Sequence, residues 1–128
     1  MGVSRFEDLI GWQKSRKLFE KTHELTSKSP LSKNFPLRDQ MRRSSLSVMS
    51  NIAEGFDRGG DKEFVQFLYV SKGSCSELRS QLYAAKDSGY IEPEEFKIAF
   101  ELAEETSKIL QGLIKAIKTR KETGHKFK

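Results

Sequence analysis

The sequence has little cysteine and little proline, and it has no long apolar run. Among 128 residues there are one cysteine and three prolines. The lone Cys75 cannot form an internal disulfide, which removes the usual mark of a secreted domain, and the shortage of proline is unlike a β-sandwich. No apolar stretch reaches the length of a membrane span and no basic–apolar leader opens the chain, so we expect a cytoplasmic protein without membrane contact.

Recognisable catalytic motifs are also missing. The sequence has two histidines and no glycine-rich phosphate loop, metal-ligand cluster or nucleophile elbow. Glu20 and His23 have the Glu-x-x-His spacing of di-iron bundles, but the second such pair is absent. We therefore expect no enzymatic activity, no catalytic residue, no metal and no cofactor.

One enzymatic alternative stays open. Arg16 and His23 have a spacing that resembles the Arg–His motif of helical ribonucleases of the HEPN class. In such a site the arginine holds a phosphate and the histidine moves a proton. The motif normally lies on a late helix and here it lies on the first, which favours a chance occurrence.

What the sequence does contain is helical periodicity between clear breaks. Apolar residues recur every three or four positions, and Ser29-Pro30, Gly59-Gly60 and Gly89 interrupt them. Short connections force neighbouring helices to be antiparallel. We predict an all-α fold with one domain over 1–128, an antiparallel up-and-down four-helix bundle with a short basic tail at 122–128 and helices at approximately 6–28, 36–58, 61–88 and 93–121.

Particular residues predict where these helices begin and end. Ser4 with Glu7 is typical of a capping box at the start of the first helix, and Asp61 is a good N-cap for the third. Gly89 suits the position just after the third helix. Gly124 is expected to end the fourth.

A layer of small side chains predicts a close contact between helices two and three. If these helices form a hairpin about Gly59-Gly60, then Ser44, Ser47 and Val48 lie opposite Ser71, Ser74 and Cys75. We interpret Ser44-Ser45 and Gly73-Ser74 as packing devices, and Cys75 as an unreactive core thiol.

Helices two and four have wider apolar faces than one small bundle requires. Their apolar positions cover roughly 160° and roughly 200°, against about 100° for an ordinary surface helix. The surplus favours association between copies of the chain. Alternatively, it lies beneath the long loop or helix one.

Charge is distributed unevenly along the chain. Residues 1–58 hold 11 basic and 7 acidic side chains, 59–107 hold 5 and 10, and 108–128 hold 7 and 1. This asymmetry favours contact with a polyanion through one end or face, although Glu20 and Glu24 can neutralise part of helix one. The candidate nucleic-acid-binding residues are Lys14, Lys17, Lys21, Arg42, Arg43, Lys115, Lys118, Arg120, Lys121, Lys126 and Lys128.

Three motifs, in this order, resemble one protein family: Phe6-x-Asp8-Leu9 with Trp12-Gln13-Lys14, then Asn51-Ile52-Ala53-Glu54-Gly55, then Gly73-Ser74-x-x-Glu77-Leu78. The family is that of the 23S rRNA intervening-sequence proteins, and the resemblance covers nearly the whole chain. The stretch Leu37-Arg38-Asp39-Gln40 departs from the family's usual pattern, which weakens the prediction for the start of helix two. The resemblance implies a four-helix bundle that assembles as a pentameric ring, without an established enzymatic activity. It also implies a relation to a branch that accompanies the reverse transcriptases of diversity-generating retroelements and binds nucleic acid.

The motif residues have a structural interpretation. Glu54 and Arg58 have the spacing of an ion pair on one helix face. Asn51 can reach a neighbouring backbone or subunit, and Gly55 admits a second helix. We therefore expect packing and subunit contacts, with a ligand pocket as the alternative, at Asn51, Glu54, Gly55, Gly73, Ser74 and Glu77.

These expectations combine into one predicted function and one alternative. The prediction is a non-enzymatic homo-oligomer, a pentameric ring, that binds RNA or DNA through basic surface residues. The alternative is a protein-interaction scaffold whose basic tail docks an acidic protein partner.

Overall fold

The chain folds into four long α-helices. The computed structural model describes residues 2–122, with side chains over 2–120, and contains no β-strand in that range. The predicted all-α class is confirmed. The helices are α1 Ile10–Thr26, α2 Phe35–Asp57, α3 Asp61–Asp87 and α4 Pro93–Glu122, and single 3-10 turns occur at Phe6–Asp8 and Leu31–Lys33.

Side-chain contacts give the direction of each helix pair. Between α2 and α3, Ser47 contacts Ser74, and further along α2, Gly55 lies against the earlier residue Phe67. Between α1 and α4, Lys14 contacts Glu105 and Lys28 contacts the earlier Glu95. The α3–α4 contacts described below follow the same order. These three pairs of helices are therefore antiparallel, as in an up-and-down bundle.

The predicted start of the first helix is wrong. Residues 6–8 form a 3-10 turn, the extended residue Leu9 follows (φ −73°, ψ 129°), and α1 begins at Ile10. No side chain caps either element, so the Ser4–Glu7 capping box does not form. The physical reason is burial: Leu9 is 5% exposed, and seating it in the core requires the chain to turn before the helix starts.

The turns between helices follow glycine and asparagine chemistry. Gly59 and Gly89 have positive φ angles of 88° and 76°, which only glycine adopts at no steric cost. The Asn34 side chain accepts a hydrogen bond from the Leu37 backbone N–H (3.2 Å) and caps α2. Asp61 is the first residue of α3 and not its N-cap, which is Gly60. Gly124 lies outside the described residues.

The predicted small-residue layer lies between α2 and α3. The Ser71 hydroxyl donates to the Val48 carbonyl (2.9 Å), and Ser74 donates to Ser47 (2.8 Å). These bonds satisfy hydroxyls that would otherwise be costly to bury. Around this layer the core consists of aliphatic side chains, with Leu18, Met41, Val48, Ile52, Leu68, Leu78, Leu82, Leu110, Ile114 and Ile117 at 0–1% exposure.

Gly73 does not belong to this packing. It is exposed, and a Cβ atom built there would meet nothing within 4 Å. The interpretation of Gly73 as a packing device within the bundle is therefore wrong, whereas its neighbour Ser74 is buried at the α2 contact.

Candidate nucleic-acid interface

The basic residues predicted to bind nucleic acid lie in separate places. On α1, Lys14 pairs with Glu105 of α4 (3.2 Å) and Lys21 pairs with Glu24 (2.8 Å). Arg42 donates from Nε to the Thr26 hydroxyl (2.8 Å), which joins α2 to the end of α1. Their charge is partly neutralised or used in packing, so they form no common patch.

Most of the other predicted cations have described side chains and three do not. Lys17 and Arg43 are exposed and have no ion pair within residues 2–120, but they lie on different helices. Lys115 is also exposed, and Arg120 is half-buried on α4. The Lys121 side chain and all of Lys126 and Lys128 lie outside the described part of the chain.

A more coherent basic surface follows the contact between α3 and α4. Its cations come from both helices, and we call it the cation–aromatic groove. It consists of Tyr69, Lys72, Arg79, Tyr83 and Lys86 on α3, and Phe96, Phe100, Lys108, Gln111 and Lys118 on α4.

Rings take the place of counter-ions at three points of this groove. Lys118 Nζ is 3.0 Å from the Tyr69 hydroxyl and 5.2 Å from its ring centroid. At the other end of the groove, Arg79 lies 5.9 Å from the Phe100 ring and Lys86 lies 4.7 Å from the Phe96 ring. A ring face attracts a cation without cancelling its charge, so these groups remain available to an anion.

Two further cations lie in the middle of the groove. Lys72 Nζ donates to Gln111 Oε1, and Lys108 lines the same recess. None of the five cations (Lys72, Arg79, Lys86, Lys108 and Lys118) forms an ion pair with a carboxylate of residues 2–120. Glu104 and Asp61 line parts of the surface but lie beyond pairing distance.

An aromatic cluster fixes one half of the groove. The Tyr83 ring lies 5.0 Å from Phe96 and 5.2 Å from Phe100, which themselves stack at 5.0 Å. Such pairs contribute about 0.5–1.5 kcal/mol each beyond their buried area. Tyr83 nevertheless remains 48% exposed, so one part of an immobilised ring faces solvent.

The net charge of each chain segment gives no indication of this surface. Residues 59–107 are acidic overall, but some of their carboxylates pair with lysines in or just after α1 and not with the groove cations. Glu105 pairs with Lys14 and Glu95 pairs with Lys28, for example. The surface is indicated instead by Lys72, Arg79, Tyr83 and Lys86. Their spacing places them on one side of α3, apart from the acidic residues of the same segment.

Two local pKa shifts describe the electrostatics of these helices. Burial raises the pKa of the Cys75 thiol to about 12, against the opposing effect of the nearby Arg79 and Lys72 cations. The thiol is therefore protonated and unreactive at neutral pH. At the start of α4, the Glu92 backbone N–H and then Lys28 lower the pKa of Glu95, whose Oε1 accepts that N–H at 2.9 Å.

The family-motif residues lie on α2 and α3, and only some of them contact each other. Arg58 pairs with Glu54 at 2.8 Å, as predicted, and also lies 5.1 Å from the Phe67 ring. Asn51 does not reach another helix, because its amide donates to the Ser47 carbonyl (2.9 Å) and hydroxyl (3.0 Å) one turn earlier. Glu77 is exposed one turn after Ser74.

The residues of the ribonuclease alternative make separate aromatic contacts. Arg16 lies 5.7 Å from the Trp12 ring, and the His23 ring is 6.2 Å from that of Phe19. Over residues 2–122, no three His, Cys, Asp or Glu side chains are grouped so as to hold a metal ion. None of the helices in that range combines the length and apolarity needed to cross a bilayer.

Comparison with known proteins agrees with the architecture. The family model described as 23S rRNA-intervening sequence protein matches residues 7–112. A crystal structure of a protein of unknown function from the S23 ribosomal protein family of Bacteroides thetaiotaomicron superimposes with a TM-score of 0.76 at 21% identity. The match covers 83% of this chain and 99% of that one, and at this identity it establishes the fold alone. No protein with a curated description matches the sequence.

Proposed function

We propose, from the premise that this chain belongs to the 23S rRNA-intervening sequence protein family, that it is a non-enzymatic oligomeric protein that binds RNA or DNA. The binding surface is the cation–aromatic groove. The observation behind the proposal is that none of the five cations of this groove is paired with a carboxylate of residues 2–120. Three of them lie against rings and Lys72 donates to an amide, while Lys108 is exposed beside Glu104 without an ion pair.

Nucleic acid has the chemistry that complements the cations and rings of this groove. Its phosphates supply negative charge at regular intervals, and cations that neutralise them release condensed counter-ions. Its bases supply ring faces that stack on aromatic side chains. Cations and rings both occur along the two helices of the groove, so one extended polyanion contacts both kinds of group.

The test compares two charge-neutralising double variants. Lys72→Gln with Lys108→Gln removes two groove cations, and Lys14→Gln with Lys21→Gln removes two ion-paired lysines of α1. Both pairs change the net charge equally. We expect the groove variant to bind labelled RNA or DNA at least tenfold more weakly, with a log–log salt slope about two units shallower.

The control variant should bind nearly as well as the wild type, because its lysines already have carboxylate partners. Equal losses in the two variants would show that only net charge matters. An unchanged affinity in the groove variant would exclude the groove as the binding surface.

Self-association is proposed from a strip of apolar side chains at the α1–α4 edge. Ile98 is 44% exposed on α4, and the half-buried Leu102 and Ile109 follow it at helical spacing. On α1, Gly11 packs against Ile109, and its neighbour Ile10 is 62% exposed. A second copy of the chain would remove this apolar surface from water, and the family resemblance suggests a pentameric ring.

Light scattering with size-exclusion chromatography tests the assembly. We expect a mass several times that of the 14.7 kDa chain, and dissociation in the variant Ile98→Glu with Ile109→Glu. Val70→Glu is the control, since Val70 is 50% exposed but lies on α3. A monomeric wild type at micromolar concentration would contradict the proposal.

The alternative function is a scaffold for an acidic protein partner. It is favoured by the same unpaired cations, since aspartate- or glutamate-rich segments also bind such a row. Competition separates the two functions. Polyglutamate that displaces nucleic acid at equal charge concentration would support the scaffold, whereas displacement only by polynucleotide supports the proposed function, because stacking needs bases.

A further inference from the structure

The middle of the cation–aromatic groove contains a recess of about 240 Å³. Lys72 and Arg79 enter it from α3, and Lys108 enters it from α4. Glu104 is the one carboxylate among its lining residues, and Ser107 and Gln111 complete the wall. Three cations of like charge therefore converge on a small space from two helices.

Arg79, which lines this recess, has a hydrogen-bond donor without a described acceptor. Its Nη2 donates to the Ser76 hydroxyl (3.2 Å), and the guanidinium lies near the Phe100 ring. Its Nε is shielded from solvent and has no hydrogen-bond acceptor within residues 2–120. A buried donor without an acceptor is unfavourable, and the planar guanidinium matches the oxygens of a phosphate group.

Next to the recess, a ring is presented to solvent. Tyr83 follows Arg79 by one helical turn, which separates their Cβ atoms by about 6 Å. The Tyr83 ring contacts Phe96 and Phe100 at centroid distances of 5.0 and 5.2 Å and interplanar angles of 51° and 69°, while 48% of the residue stays exposed. A fixed ring of this kind suits stacking against a planar partner.

We propose that this pair of features binds single-stranded nucleic acid, with a backbone phosphate on Lys72, Arg79 and Lys108 and an adjacent base stacked on Tyr83. The inference rests on the proposed function and specifies its ligand class. A duplex keeps its base faces stacked inside the helix, so it offers Tyr83 no partner. A single strand offers a phosphate and an unstacked base within one nucleotide.

The experiment measures anisotropy of labelled oligonucleotides of equal length, single-stranded and duplex, at about 50 mM salt. Tyr83→Leu should weaken single-strand binding about tenfold, in line with the loss of one stacked base, and leave duplex binding unchanged. Arg79→Gln should weaken binding of both. The controls are Phe35→Leu and Lys33→Gln, an exposed ring and an exposed cation outside the groove, and circular dichroism verifies that every variant folds.

A second measurement tests the phosphate site in the absence of nucleic acid. Titration of the wild type with inorganic pyrophosphate should shift the amide resonances of Lys72, Arg79 and Lys108, and Arg79→Gln should abolish those shifts. If the wild type binds no nucleic acid, the proposed function fails, and pyrophosphate shifts would still assign the recess to a phosphate from another source.

Three outcomes would overturn the inference. Absence of pyrophosphate shifts would remove the phosphate site. An Arg79→Gln variant that binds single strands as well as Lys33→Gln, in a protein that does bind nucleic acid, would leave the function standing and exclude this recess. Equal weakening of duplex and single strand by Tyr83→Leu would show that the ring does not stack on a base.

Discussion

Gly55 of α2 lies directly against Phe67 of α3, so that a Cβ atom at position 55 would be 2.5 Å from the Phe67 Cβ. No pair of real Cβ atoms approaches this closely, and the atom in the way is near the backbone, where it has little freedom to move. The two helices can approach to this distance only because residue 55 has no side chain. The Gly55 of the family motif therefore has a packing role within the bundle.

Gly55→Ala should lower the free energy of unfolding by about 1–3 kcal/mol, the usual cost of overpacking a core contact. Gly73→Ala is the matched control. It lies in the next motif on an exposed turn of α3 with open space around its Cα, so it should raise the stability by about 0.5–1 kcal/mol through backbone entropy. Chemical denaturation measures both. A destabilised or dissociated Gly73→Ala protein would instead indicate that another subunit contacts this position.

The Cys75 thiol should react very slowly with a thiol reagent in the folded protein at pH 8 and fully in denaturant. Its pKa of about 12 arises from burial, and the thiolate is the reactive species. Rapid labelling of the native protein would contradict the burial.

The raised pKa of the Cys75 thiol also predicts that the folded protein loses stability at alkaline pH. Because the pKa is higher in the folded chain than in the unfolded one, the unfolded chain releases its proton first as the pH rises. Stability is then lost between about pH 9 and pH 12. The free energy of unfolding of Cys75→Ala, measured over this range, should fall less steeply than that of the wild type.

Glu95→Gln should destabilise the protein by about 1 kcal/mol near pH 7, because the carboxylate accepts the Glu92 N–H at the start of α4 and pairs with Lys28. The pKa of Glu95 is lowered in the folded state, so its contribution is present above the unfolded pKa and disappears as the pH falls through the folded one. Thermal unfolding at about pH 7 and about pH 2 checks this. Glu94→Gln, without a described contact, should show a smaller difference.

Arg16→Ala with His23→Ala should leave the behaviour of the protein toward RNA unchanged. Each of these side chains contacts an aromatic ring of its own helix, and among residues 2–120 neither contacts a second group suited to catalysis. Incubation with a fluorogenic RNA and a chelator should give no cleavage by the wild type. Metal-independent cleavage that disappears in the double variant would promote the ribonuclease alternative.

The sequence predicted those parts of the fold that depend on local chemistry. Gly59 and Gly89 interrupt the periodicity and adopt positive φ angles where the helices end, and the serine layer of α2 and α3 follows from spacing about the first of these turns. The start of α1 was wrong because its position depends on burial of Leu9 by the rest of the bundle. A local capping pattern contains no information about that tertiary contact.

The candidate site was predicted less well, for a related reason. Lys118 is the one groove cation among the residues predicted from the sequence. The others were missed because the net charge of a segment averages over all faces of a helix. Which lysines stay unpaired is decided by partners far along the chain: Lys14 meets Glu105, whereas Lys72 meets Gln111. These partners are known only once the helices are placed side by side.

The ring contacts of the groove have a consequence for the thermodynamics of association. A surface lysine or arginine ordinarily samples many rotamers and loses that freedom when a ligand immobilises it. Arg79 and Lys86 already rest on Phe100 and Phe96, and Lys118 rests on Tyr69. Much of this ordering occurs during folding, before any ligand arrives, so the groove is preorganised and the proposed binding of a polyanion would have a smaller entropic penalty.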